Sequence, residues 1–246
     1  MNIGITGGNG FIGRHIIQQL KTHESVKIFV FELPEQNIFD FNQVKKFVSG
    51  KDVIIHAAAV NRGTDDEVIS GGVVATHNII HAVLSMKKKP KIIFLSSMQA
   101  GNGTIYGTSK LLSEKLLESI ALNKKIFSSV FRIPNVYGEG CRPFYNSVVA
   151  TFCYQEASGK KLTIHKRNAS KWINLIYVND LAKIIADESF VKRKNPFYFR
   201  EIKPTDRITI ANLAKTIGSF SEIVKIRKDS SRFVKNLFKT YISYKL

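Results

Sequence analysis

Thr6-Gly7-Gly8-Asn9-Gly10-Phe11-Ile12-Gly13 decides the fold of this chain. The stretch follows an apolar run over residues 1–6 that reads as a β-strand. It leads into Ile12, Ile16, Ile17 and Leu20, which are spaced as one face of a helix. Glycines at positions 7, 10 and 13 permit a tight turn, let backbone amides approach a pyrophosphate, and allow helix and strand to pack closely. The positive end of the helix dipole favours the phosphates. A strand before and a helix after are the context that separates a dinucleotide-binding turn from an ordinary glycine-rich loop.

The same rhythm continues downstream. A second strand is predicted over residues 26–31, a helix with Asp40 as its N-cap, and a buried-type strand over residues 52–58. Further on come a helix over residues 73–85, a strand over 91–95 ending in Ser96-Ser97, a helix over 106–122 and a strand over 126–132. This alternation predicts an α/β fold, a Rossmann doubly wound parallel sheet with helices on both faces and a ligand crevice at the carboxyl ends of the strands. After Asn135 the pattern loosens into a helix near 146–157, a strand near 161–165 and a strand-helix unit over 173–187. Residues 1–135 are therefore expected to form an NAD(P)-binding domain that carries the catalytic residues. Residues 136–246 are expected to form a small C-terminal substrate-binding lobe with a tail, interleaved with the first. Phe233, Leu237 and Tyr241 recur every four residues among lysines in that tail, the pattern of a basic amphipathic helix packed on a domain or partner rather than on a membrane.

Composition narrows the function classes. The 246 residues are 44% apolar and 23% charged, with no fixed-period repeat, as in an ordinary globular chain. No cationic region followed by a long apolar stretch opens the sequence, and apolar runs such as 53–60 are less than half of the roughly 20 residues a membrane helix needs. Cys141 and Cys153 are the only cysteines and form no CxxC, so reduced thiols in the cytoplasm are expected, without membrane insertion. The formal charge of +18 is dispersed, with Lys87-Lys88-Lys89 the longest run, and neither an RNA-binding aromatic signature nor a helix-turn-helix pattern accompanies it. Nucleic acid is not an expected partner; an anionic small substrate is.

Tyr106 and Lys110 lie four apart on one helix and share a face, and Ser97 stands at the carboxyl end of the preceding strand, beside the crevice. In that arrangement Ser97 hydrogen-bonds a substrate oxygen, Tyr106 transfers the proton, and Lys110 stabilises the phenolate and holds a ribose. A nearby ammonium is expected to lower the tyrosine pKa from about 10. Glu32, after the second strand, suits a ribose 2′-hydroxyl and argues for NAD, whereas Arg14 can meet a 2′-phosphate. Asn37 and Ile38 fall where the adenine ring is met. Gly7, Gly10, Phe11, Ile12, Gly13, Ala57, Ala58, Lys110 and Ile133 complete the candidate cofactor set. Arg62, Arg142, Lys166, Arg167 and Lys171 are candidates for a diphosphate. His77 and His81 lack a third ligand, so no metal is expected, and His56 at the end of a buried strand reads as a structural hydrogen-bonding group.

Together, Thr6 to Gly13, Ser97 and the Tyr106-Gly107-Thr108-Ser109-Lys110 box resemble the extended short-chain dehydrogenase/reductase family, also called the NAD-dependent epimerase/dehydratase family. The resemblance extends to Arg132-Ile133-Pro134-Asn135-Val136-Tyr137-Gly138, which implies that Asn135 touches substrate, and to Tyr177-Val178-Asn179-Asp180. Val60-Asn61-Arg62, Ser96 to Ala100 and Tyr145 to Tyr154 are similar to the reductase domain of bacterial capsule and O-antigen enzymes on the route to UDP-N-acetyl-L-fucosamine. That likeness implies reduction of the 4-keto group of a UDP-linked 2-acetamido-2,6-dideoxy-hexulose by NADPH or NADH. The implied substrate contacts are Asn61, Arg62, Asn135, Arg142, Asn146 and Arg167. A homodimer is the expected assembly, with a cupin domain either separate or deleted. Three positions depart from the pattern: Gly72 replaces a helix asparagine, Ile173 a phosphate-binding arginine, and Glu32 disfavours NADPH. Only eight residues separate Ser97 from Tyr106. An epimerase or dehydratase with tightly bound NAD, and a catalytically idle NAD(P)-binding regulator, are the alternatives.

Overall fold

The computed structural model describes residues 1–32, 34–164, 166–223 and 225–245, and for Lys166 the backbone alone. In chain order the elements are β1 (Asn2–Thr6), α1 (Phe11–Leu20), β2 (Lys27–Phe31), α2 (Phe41–Val48), β3 (Val53–His56), α3 (Asp65–Ile69) and α4 (Ala75–Leu84). They continue with β4 (Lys91–Ser97), α5 (Ile105–Lys124), β5 (Ser128–Ile133), β6 (Asn135–Tyr137), α6 (Val148–Ala157), β7 (Trp172–Tyr177) and α7 (Val178–Glu188). Last come β8 (Phe197–Glu201), β9 (Asp206–Thr209), α8 (Ile210–Gly218) and α9 (Arg232–Ile242). Two compact units result, one of residues 1–133 with 182–202 and one of residues 134–181 with 203–246. The chain thus returns to the first unit for part of α7 and for β8.

The first unit holds a six-stranded sheet in the order β2-β1-β3-β4-β5-β8, parallel throughout. Strands covered on both faces must be apolar along their length. Ile3, Ile5, Ile54, Ile55, Ile92 and Ile93 are accordingly fully buried. Strand order reverses between β1 and β3, so the loops after these two strands flank the switch point where ligands bind in open parallel sheets. Asp40 caps α2 by accepting the Asn42 and Gln43 N–H groups, as its sequence position implies.

One helix differs from expectation. The helix predicted over 73–85 begins at Asp65, where Thr64 and Glu67 form a reciprocal capping box. A single π-helical turn over Ser70–Val74 joins α3 to α4 and interrupts the 3.6-residue periodicity that a sequence pattern can register. Two glycines let this turn pack: a Cβ on Gly71 would lie 2.4 Å from the Val60 side chain, and one on Gly72 would lie 3.0 Å from Ser109 Oγ. The joined run Asp65–Leu84 is long and apolar enough by composition to cross a membrane, which corrects the expectation that no stretch reaches that length. Half of it is buried inside the protein, with Ile79, Ile80, Ala82 and Val83 in the core, as for a core helix.

In the second unit β6 and β7 pair in parallel and β7 pairs antiparallel with β9. α6 packs on α8 and α9. The tail is the packed helix its spacing implied, with Leu237 and Tyr241 buried and Phe220 in ring contact with Phe238 and Tyr241. The strand expected near 161–165 does not form over residues 161–164, and His165 lies outside the described residues. Leu162 and Ile164 alternate with polar residues as a strand would, and the second unit's sheet is built from β6, β7 and β9 instead. Cys141 and Cys153 are free and buried.

Candidate active site

The glycines after β1 are not equivalent. Gly7 has φ +71°, in the left-handed region, and a Cβ there would lie 2.7 Å from Ala58 N. A Cβ on Gly13 would lie 2.1 Å from the Gly7 carbonyl oxygen. Gly10 has an ordinary extended conformation, φ −72° and ψ 170°, and a Cβ on it would meet only Gly7 O, at 3.1 Å. The turn's own packing therefore demands glycine at 7 and 13. At 10, the exposed N-cap of α1, small size serves whatever approaches from outside. No side chain caps this helix end, which leaves its N–H groups suited to an anion. The turn is tied across the switch point by Ala57 N–H to Thr6 O at 3.1 Å and Ala58 N–H to Thr6 Oγ1 at 3.3 Å.

Around this turn Phe11 and Ile12 are half-buried in the first turn of α1, and Arg14 is exposed one residue past Gly13. Glu32 follows β2, is exposed, and donates its N–H to the Gln36 side chain. Asn37 uses its side-chain oxygen locally, accepting the Phe39 N–H at 2.9 Å. Ile38 packs its side chain into the hydrophobic core and its carbonyl accepts from the Asn78 amide.

Ser97 ends β4 in register with Ile133 of β5. α5 starts at Ile105 because Thr104 caps it, accepting the Gly107 N–H at 3.0 Å. Gly107 lets this first turn sit against residues 99–102: a Cβ there would lie 2.4 Å from Gln99 O. The eight-residue link is thereby folded tightly enough to bring the Ser97 hydroxyl to the Tyr106 phenol, whose ionised form it favours. Ser97 Oγ also accepts the Gln99 N–H at 3.1 Å. Lys110, one turn along, is buried; its Nζ donates to Leu95 O at 2.9 Å and lies 4.7 Å from the centre of the Phe94 ring.

Burial lowers the Lys110 ammonium from 10.5 to about 8, opposed by the Glu114 carboxylate. For Tyr106 the expected lowering is not what the structure shows. Burial raises the phenol above its ordinary value, and the force acting the other way is the Ser97 hydrogen bond rather than the ammonium. His56 hydrogen-bonds Thr6 Oγ1 at 2.7 Å and Thr76 Oγ1 at 3.1 Å, and burial, aided by Lys110, lowers it to about 3, so it stays a neutral structural group. His81 stacks on Phe41, and no group of three metal-binding side chains occurs among the described residues.

Sequence reasoning missed Ser96 and Glu114. Glu114 is buried one turn beyond Lys110, accepts from Ser96 Oγ, and takes a two-pronged hydrogen bond from Arg132 at 2.9 and 2.7 Å. The signal available was a glutamate four residues after Lys110.

The expected substrate residues fall in both units. Asn61 and Arg62 are exposed in the loop after β3 of the first. In the second, Asn135 opens β6 and its amide donates to Asn174 O at 3.3 Å, while the Arg142 guanidinium lies 5.2 Å from the Tyr145 ring centre. Asn146 is exposed just before Ser147, the N-cap of α6, and Arg167 is exposed in a short 3₁₀ turn.

A glycine turn at the switch point and a serine-tyrosine-lysine set one strand further along define a class. Residues 3–186 match the NAD dependent epimerase/dehydratase family, and the chain belongs to it. Within that class it is 28% identical, over 99% of its length, to UDP-2-acetamido-2,6-beta-L-arabino-hexul-4-ose reductase of Pseudomonas aeruginosa. The capsular polysaccharide assembling protein CapF from Staphylococcus aureus aligns with a TM-score of 0.77 at 28% identity, over 99% of this chain. The chain spans 65% of the length of each of these two proteins. UDP-glucuronic acid 4-epimerase from Bacillus cereus, solved with UDP-glucuronic acid and NAD, shares the fold with a TM-score of 0.86 at 18% identity, over 100% of this chain and 99% of that one.

Proposed function

We propose that the protein is a cytoplasmic NAD(P)H-dependent reductase. It converts the 4-keto group of a UDP-linked 2-acetamido-2,6-dideoxy-hexulose to an alcohol in the synthesis of capsule or O-antigen precursors. The observation that carries this reading is the Ser97–Tyr106 hydroxyl pair with the Lys110 ammonium buried behind it. The likeness to the P. aeruginosa reductase over 99% of this chain supports the choice of substrate class.

Gly7, Gly10 and Gly13 with the N–H groups of Phe11 and Ile12 fit a dinucleotide pyrophosphate, since Gly10 is small where the turn itself does not require it. When bound, NAD(P)H supplies the hydride that adds to the carbonyl carbon. Ser97 donates a hydrogen bond to the carbonyl oxygen, and Tyr106 gives that oxygen its phenolic proton. Burial keeps Tyr106 protonated until transfer, because it raises the phenol pKa. Lys110, at about 8, is mostly cationic at neutral pH and stabilises the phenolate that transfer leaves behind. Ile69, Val74 and Leu112 are exposed apolar residues of the first unit and support a homodimer, to be measured by light scattering.

The test is mass spectrometry of the sugar product with simultaneous absorbance of each cofactor. One cofactor oxidised per sugar reduced supports the proposal. An isomeric product without net cofactor consumption identifies an epimerase instead, and binding without turnover identifies a regulator.

A further inference from the structure

We propose that Glu114 is a positioning residue: through Ser96 and Arg132 it fastens the catalytic face of α5 to the ends of β4 and β5, and it sets a carboxylate one turn behind Lys110. This inference rests on the roles given to Ser97, Tyr106 and Lys110 above. Glu114 is 5% exposed and Lys110 3% exposed. Both Glu114 oxygens are engaged, Oε1 by Ser96 Oγ and Arg132 Nε, Oε2 by Arg132 Nη2. Ser96 immediately precedes Ser97, and Arg132 immediately precedes Ile133, the register partner of Ser97. One buried carboxylate thereby fixes the strand end that carries Ser97 relative to the helix that carries Tyr106 and Lys110.

The electrostatics follow the same geometry. A buried ammonium is disfavoured by desolvation and favoured by a nearby anion. The ionisable groups around Lys110 are Tyr106 and Glu114 on its own helix, His56 on β3, Arg132 on β5 and Glu201 on β8; Asp65, Asp66 and Glu67 on α3, which packs on α5, are exposed. His56 is neutral above about pH 3. Glu201 reaches the set through its 3.3 Å contact with Arg132 and is itself half exposed. Glu114 is therefore the anion that acts on Lys110 directly.

The test is a titration of Lys110 by NMR in protein labelled at lysine Cε, the signal assigned by its loss in Lys110→Met. Glu114→Gln keeps the shape and removes the charge, so the Lys110 midpoint should fall by about one pH unit. Arg132→Gln removes a competing cation and should move the midpoint upward. Under turnover, the alkaline fall of kcat/KM should shift in the same two directions, and Glu114→Asp, which restores the charge, should bring the limb back. Purely structural damage would lower the rate without moving the limb. A Lys110 midpoint unmoved in Glu114→Gln, or moved the same way by both substitutions, overturns the proposal. If Glu114→Gln does not fold, the direction of the Arg132→Gln shift decides alone. Should the wild-type protein reduce no sugar, the assigned activity fails, while the Lys110 titration still judges this inference.

Discussion

In the turn after β1 the chain works by omission. Side chains at 7 and 13 would collide with Ala58 N and Gly7 O, and the backbone takes the one path left to it. Around α5 it works by provision: Ser97 meets a phenol, Lys110 a carbonyl and Glu114 an arginine, each in a buried setting that costs free energy unless the partner is present. A site built by omission should tolerate no added atom and little care about charge. One built by provision should tolerate changes of shape better than changes of protonation.

The sharpest break lies within the turn. Gly13→Val is expected to cost about 4 kcal/mol or more, or to prevent folding, because the clash is with backbone that cannot yield. Gly10→Val is expected to fold, with a cost near 1 kcal/mol, and to lose NAD(P)H binding. Urea denaturation and cofactor fluorescence titration measure the two; equal destabilisation would erase the distinction between shaping the turn and clearing its approach. Next, Tyr106→Phe should lower turnover by about 10²–10⁴ with cofactor affinity nearly unchanged, since only the proton donor is lost. Near-normal rates would show that the hydroxyl pair is not the acid.

Lys110→Met should show the opposite sign in stability and activity. A folded-state value near 8 against an ordinary 10.5 means that the unfolded chain holds the extra proton between these pH values. The fold is therefore penalised fully below about pH 8 and relieved as pH rises towards 10.5. At 1.36 kcal/mol per pH unit the penalty is at most about 3 kcal/mol. The methionine variant should be inactive yet melt higher at pH 7, with the gain shrinking towards pH 10; a lower melting temperature at pH 7 would mean that the bond to Leu95 outweighs desolvation. The smallest effect concerns Glu32 and Arg14. Glu32→Ala should favour NADPH over NADH by several-fold and Arg14→Ala should weaken NADPH, both less so at higher salt. Equal changes for both cofactors would place Glu32 away from the 2′ position.

The same contrast explains what could be read beforehand. Omission leaves a mark in one dimension: Gly7, Gly10 and Gly13, and the apolar runs of β1, β3 and β4, announce turn and parallel sheet without any knowledge of neighbours. Ser97, Tyr106 and Lys110 were legible as types at spacings. Their electrostatics were not, because the direction of the Tyr106 shift depends on how deeply the phenol is buried, and the tie of Lys110 to Leu95 joins residues 15 apart. Glu114 lay in plain view four residues after Lys110, but its meaning needs Arg132, 18 residues on. The start of the 65–84 helix was missed because a π turn resets the phase on which periodicity depends.

That reset has a genetic corollary. A π turn houses one residue more than the α-helical path it replaces, so the Asp65–Leu84 rod carries, in effect, a single-codon insertion at Ser70–Val74. Removing Gly71 or Gly72 would let ordinary hydrogen bonding run through, and the Asp65–Ile69 half would swing about 100° around the axis relative to Ala75–Leu84. Val68, now buried, would swing off the interior, and the Thr64 cap would drag the Asn61–Arg62 loop with it. In-frame deletion at these two positions is thus expected to be tolerated far less than in the exposed loop that precedes them.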